Sequence, residues 1–98
     1  MSLSKVSLIQ ILKIEKPFLE KNFGVCSLAL FGAYARDEQS ESSDVDILVE
    51  LERPSFDWLI GLQFHLENKL QKKVDIVRNS GHLKKDFVNV IQHDLIYV

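Results

Sequence analysis

Ninety-eight residues with a formal net charge of −2 make one small domain, residues 1–98, able to bury a core but with a modest stability margin. A single cysteine excludes an internal disulfide and a cysteine-built zinc site. No apolar run approaches the ~18 residues of a membrane span, and the N-terminus lacks the apolar core of a signal peptide, so the expected setting is the cytoplasm, with no membrane partner.

The lysines are scattered. The only doublets, Lys72-Lys73 and Lys84-Lys85, read as solvated surface, and direct binding of nucleic acid is not expected. Ser4 is placed to cap a first helix with Leu8, Ile11 and Leu12 on one side. Pro17 is expected to break it and to start a second short helix through Asn22, because proline suits a first turn and not a helix interior. Gly24 then ends that helix. Val25 to Phe31 is almost wholly apolar, which predicts a central strand buried on both faces, with Cys26 as a small buried hydrophobe. Gly32 ends the strand. Ala33 to Arg36 read as a first helical turn, and Asp37 to Ser43 as a polar loop.

From Asp44 to Leu51 the chain alternates. Val45, Ile47, Val49 and Leu51 face one way, and Asp44, Asp46, Leu48 and Glu50 the other. Pro54 closes this strand and Ser55 caps a helix running to Gln71, with Leu59, Leu62, Leu66 and Leu70 as its core stripe. Phe64 points almost opposite that stripe with Ile60 beside it; it is either a lone exposed aromatic or a contact surface for a partner or a second copy of the chain. Trp58 reads as core or boundary packing. His65, His82 and His93 lack metal-ligand spacing. Lys73 to Arg78 alternates again as a third strand, with Asp75 opposite Val74 and Ile76. Ser80 is expected to cap a last helix carrying Leu83, Phe87, Val90 and Ile91, and the apolar end Leu95 to Val98 is expected to pack back onto the domain. The predicted class is α/β (α+β), a small mixed sheet with helices packed on one face and a polar face left open for a substrate.

The chemistry-bearing residues lie on that polar face. Asp44 and Asp46 share one side of a strand, so their carboxylates sit roughly 6–7 Å apart, where two unit charges repel by roughly 2–3 kcal/mol at an effective dielectric near 20. A bound divalent cation is the usual reason to keep such a pair, and magnesium takes carboxylate oxygens while leaving positions for water and phosphates. Asp75 joins them if the second and third strands are neighbours. Three such carboxylates suit two metal ions clamping an in-line phosphoryl displacement, with the third carboxylate helping to deprotonate the attacking group. Gly32 lets backbone approach a phosphate closely, and the N–H groups after it are placed for anionic oxygens. Arg36, one turn on, either pairs with a triphosphate or braces the loop. Ser43 steadies the loop before Asp44.

Leu30-Phe31-Gly32-Ala33-Tyr34-Ala35-Arg36, a loop, and Ser43-Asp44-Val45-Asp46-Ile47-Leu48-Val49 resemble the minimal nucleotidyltransferase family of the DNA polymerase beta superfamily. Lys73-Val74-Asp75-Ile76-Val77 resembles the strand that carries the family's third carboxylate, and the likeness covers nearly the whole chain. It implies the nucleotidyltransferase fold. It further implies catalysis and metal binding at Asp44, Asp46 and Asp75, nucleotide binding around Gly32, Ala33, Arg36 and Ser43, ATP as substrate and magnesium as cofactor. Small stand-alone members act as antitoxins: they pair with a HEPN-domain RNase toxin and silence it by transferring AMP to a tyrosine.

Two positions depart from the family pattern. Its serine after the glycine is Ala33, which removes a phosphate contact worth about 1–3 kcal/mol. Its glycine after the arginine is Asp37, an acid near the expected phosphates. An alternative reading is therefore a catalytically weak module that neutralises its partner by binding alone. Transfer to a small molecule such as an aminoglycoside is disfavoured by the lack of a second domain, and a templated polymerase is excluded by size and charge.

Overall fold

The computed structural model describes residues 3–79 and 85–98; the side chains at 85, 86, 88 and 90 lie outside the description. The expected Ser80 cap, Leu83, His82 and the Val90 side chain therefore fall outside it. Helix α1 (Lys5–Phe23) starts at a reciprocal cap: the Ser7 N–H donates to Ser4 Oγ at 3.1 Å and the Ser4 N–H to Ser7 Oγ at 2.9 Å. It runs unbroken through Pro17, contrary to the expected break. Leu8, Leu12 and Leu19 are fully buried, whereas Lys13 and Pro17 are exposed, so water can satisfy the carbonyl of Lys13 that the proline ring leaves without a donor. Gly24 ends the helix at φ 62°. A Cβ there would fall within the ring of Trp58, so the glycine is required by a close approach as well as by its backbone.

Strand β1 (Val25–Phe31) leads into a one-turn helix α2 (Gly32–Ala35), then the loop, strand β2 (Val45–Leu51), helix α3 (Phe56–Leu70), strand β3 (Val74–Arg78), helix α4 (Lys85–Gln92) and a two-residue strand β4 (Ile96–Tyr97). The sheet order is β3-β2-β1-β4. The central position expected for β1 is observed. Cys26, however, is exposed rather than buried. The register between β1 and β2 slips between Val25 and Ser27, and that bulge turns the cysteine out of the sheet. Strand β1 pairs antiparallel with β2 and β4, while β2 and β3 run parallel and are joined through α3. The apolar C-terminus packs back as expected, with β4 on the edge of β1 and the Val98 N–H donating to Leu28 O at 3.0 Å.

One face of the sheet carries Leu28, Leu30, Val45, Ile47, Val49 and Val74, all buried against Leu8, Leu12 and Leu19 of α1 and Leu62, Leu66 and Leu70 of α3. The α3 stripe is as the sequence predicts, and so is its opposite side: Phe64 is exposed, as are Ile60 and Phe56 one and two turns before it. The second face divides in two. Ala29, Phe31 and Leu48 form a small cluster with Ile91 of α4, so one end of this face is covered. The other end carries the acids.

Candidate active site

Parallel pairing builds the site. Strands β2 and β3 align Val45 with Val74 and Asp46 with Asp75. Directly paired residues of neighbouring strands point to the same side, about 4.8 Å apart along the sheet. Asp44 lies two residues before Asp46 and extends the same face to the strand's start. The register thus places all three carboxylates expected from the sequence on one face of the sheet.

Antiparallel pairing brings the glycine turn to the same place, because Phe31 of β1 is registered with Asp46 of β2 and Gly32 follows Phe31. Gly32 adopts φ 76°, and a Cβ built on it would clash with a carboxylate oxygen of Asp46. Any side chain at 32 would displace that carboxylate. The N-cap of α2, Phe31, offers no side-chain acceptor, so the opening N–H groups of the turn have neither a cap nor an intrahelical partner.

Electrostatics single out Asp46. Burial pushes its carboxyl above the ordinary carboxylate range, the negative charges of Asp75 and then Asp44 push the same way, and Arg36 opposes them. Among the described residues no side-chain hydrogen bond reaches Asp46 or Asp75. Asp44 is paired, among the described residues, with Lys73, whose Nζ lies 3.8 Å from Asp44 Oδ2.

Among the described residues no three or more His, Cys, Asp or Glu side chains close around one point as a protein-only metal cage would. The donor set fits a different kind of ion. Three carboxylates on an open face offer hard oxygen ligands, and magnesium is held by one or two carboxylates together with water and substrate phosphates.

The other expected site residues are arranged less directly. Ala33 is half-buried in the turn beside Gly32 and carries no polar group. The Ser43 hydroxyl is engaged within its loop, accepting from the Ser40 N–H at 2.9 Å, while the Ser43 N–H donates to Ser40 O at 3.1 Å. The guanidinium of Arg36 donates to Asp94 Oδ2 at 2.8 Å and to Glu38 Oε2 at 3.2 Å, so it ties the loop to the segment between α4 and β4. Asp37 takes φ 59°, the left-handed region, where a glycine would sit without strain. Lys73, read from the sequence as part of a solvated doublet, lies beside this face; its place two residues before Asp75 in the alternating strand puts it there.

Residues 11–98 match the model of the nucleotidyltransferase domain family. The protein adenylyltransferase MntA of Thermococcus cleftensis is 40% identical over 89 residues, covering 90% of this chain and 89% of the relative. A solved structure provisionally identified as a minimal nucleotidyltransferase superposes with a TM-score of 0.80 at 27% identity, covering 96% of this chain and 95% of that one. A solved toxin–antitoxin structure with AMP-PNP shares the fold at a TM-score of 0.66 and 21% identity, covering 97% of this chain and 72% of that one.

Proposed function

The chain belongs to the nucleotidyltransferase domain family, and on that premise we propose that it transfers AMP from ATP to the hydroxyl of a tyrosine on a HEPN-type toxin partner and so acts as an antitoxin. The observation that carries this reading is the pairing of Asp46 with Asp75 beside the Gly32 turn, which places an acidic patch against a bare backbone turn. The adenylyltransferase name of the Thermococcus relative supports a protein acceptor.

In this reading Asp44, Asp46 and Asp75 would hold magnesium, which would supply charge neutralisation at the phosphates. The N–H groups after Gly32 meet the triphosphate, and the loop pinned by Ser40, Ser43 and Arg36 fixes where that turn sits. The tyrosine oxygen attacks the α-phosphorus as the bond from that phosphorus to the bridging oxygen of pyrophosphate breaks. In this reading Asp75, the most exposed of the three acids, takes the hydroxyl proton. The absent hydroxyl at Ala33 weakens the hold on the phosphates without removing any of the three acids.

The test is incubation with α-labelled ATP, magnesium and a candidate HEPN partner, with Asp46→Ala as control. Label appearing on a partner tyrosine with the wild type alone is the expected result. Neutralisation of the toxin by wild type and Asp46→Ala alike, with no label transferred, would instead favour the binding-only module.

A further inference from the structure

The cations near the acidic face differ in how free they are. Arg36 is held between Asp94 and Glu38. Lys72 donates to Glu41 O at 2.8 Å and lies 5.9 Å from the centre of the Tyr34 ring, so it braces the loop from the other side. Lys73 alternates with Lys72. It stands two residues before Asp75, as Asp44 stands two before Asp46, and the Val45 N–H donates to Lys73 O at 3.0 Å, carrying the parallel register back to this level. Asp44, Asp46, Lys73 and Asp75 thus occupy the corners of one square on the same face. The Lys73 side chain is 66% exposed, and its ion pair is the long 3.8 Å contact to Asp44. An exposed pair of that kind adds little to stability, so the fold does not depend on this lysine standing there.

We propose that Lys73 is a substrate-binding residue that takes the phosphate oxygens of the incoming triphosphate at the edge of the acid square. The inference rests on the nucleotidyltransferase reading above and names a residue that reading leaves out. When the carboxylate of Asp44 turns to a metal ion, Lys73 loses its partner at the place where negative phosphate arrives. A lysine ammonium suits that task as a mobile point charge with three donors. It also supplies a positive charge that the missing hydroxyl at Ala33 never could.

The test compares Lys73→Gln, Lys73→Arg and Lys72→Gln with the wild type by calorimetry, using ATP and AMP with magnesium, and manganese alone. Lys73→Gln is expected to lose about tenfold to a hundredfold in ATP affinity, the scale of one hydrogen bond to a charged group. Its affinity for AMP should change less than twofold, its melting temperature should be unchanged, and manganese alone should bind as well or better. Lys73→Arg should recover most of the loss, and Lys72→Gln should stay within threefold of the wild type. ATP affinity within threefold of the wild type in Lys73→Gln would overturn the proposal. So would an equal loss for ATP and AMP, which marks a structural role, or a gain for both ATP and manganese, which marks a mere counter-charge to Asp44. A wild-type protein that binds no ATP at all would overturn the nucleotidyltransferase reading itself, and the proposal with it.

Discussion

The two faces of the sheet are made from alternate residues of the same strands and do opposite things. The face under α1 and α3 is closed: Val45, Ile47, Val49 and Val74 have no exposed surface, and among the described residues its buried cluster holds no charged side chain. The other face is apolar where α4 reaches it, at Ala29, Phe31 and Leu48, and at the starts of β2 and β3 it concentrates three like charges that, among the described residues, only the long Lys73 contact to Asp44 and the more distant Arg36 offset. One residue along a strand separates the two. A small domain can therefore set the stability drawn from one face against electrostatic strain held on the other, and the strained end is where a cation and phosphates would relieve it.

The contrast breaks most visibly at Asp75. Asp75→Asn should leave ATP binding partly intact while AMP transfer falls about 10²–10⁴-fold, the usual worth of general-base assistance. Because Asp75 is exposed and sits beside two other acids, its melting temperature should be equal or higher. Unfolding of the variant, with wild-type transfer by whatever remains folded, would assign Asp75 a structural role. The opposite face answers in the opposite way. Leu66 is fully buried, and Leu66→Ala should cost about 2–5 kcal/mol measured by denaturant unfolding, with the transfer rate per folded molecule little changed.

Smaller changes sharpen the comparison. Ala33→Ser restores a hydroxyl in the turn and should raise ATP affinity or transfer rate by roughly tenfold, the scale of one charge-assisted hydrogen bond. No gain would mean that backbone N–H groups and cationic side chains hold the phosphates unaided.

Asp46→Asn should stabilise the metal-free protein at pH 7. The folded state holds the proton of Asp46 more tightly than the unfolded chain does, so ionisation disfavours folding as pH rises through the raised folded value. The gain should be present at neutral pH and vanish as pH falls below the ordinary carboxylate range, where both states are protonated. Melting curves of wild type and variant across pH check both sign and window; a gain that grows on acidification would contradict the assignment.

The acid pair was legible because alternation in Asp44 to Leu51 puts both aspartates on one side whatever the strand's neighbours are. The junction of Asp46 with Asp75 depended on β2 and β3 lying side by side, which sequence allows and only the fold decides. Local rules misled where tertiary context overrode them. Pro17 stays inside α1 because its carbonyl partner faces water, and Cys26 leaves the core because a bulge rotates it out. The two residues of β4 are too short to carry a period. The tie between Arg36 and Asp94 joins positions far apart in the chain, and no spacing could have announced it. Lys72 and Lys73 read alike as a charged doublet, yet alternation sends one to the loop and the other to the acids.

The most direct test of the acidic face as a metal–nucleotide site is calorimetry of ATP binding by the wild type and Asp46→Ala, each with and without magnesium. The structure predicts binding that requires magnesium in the wild type and is abolished in Asp46→Ala, while the variant stays folded. Equal ATP affinity in the two proteins would contradict it.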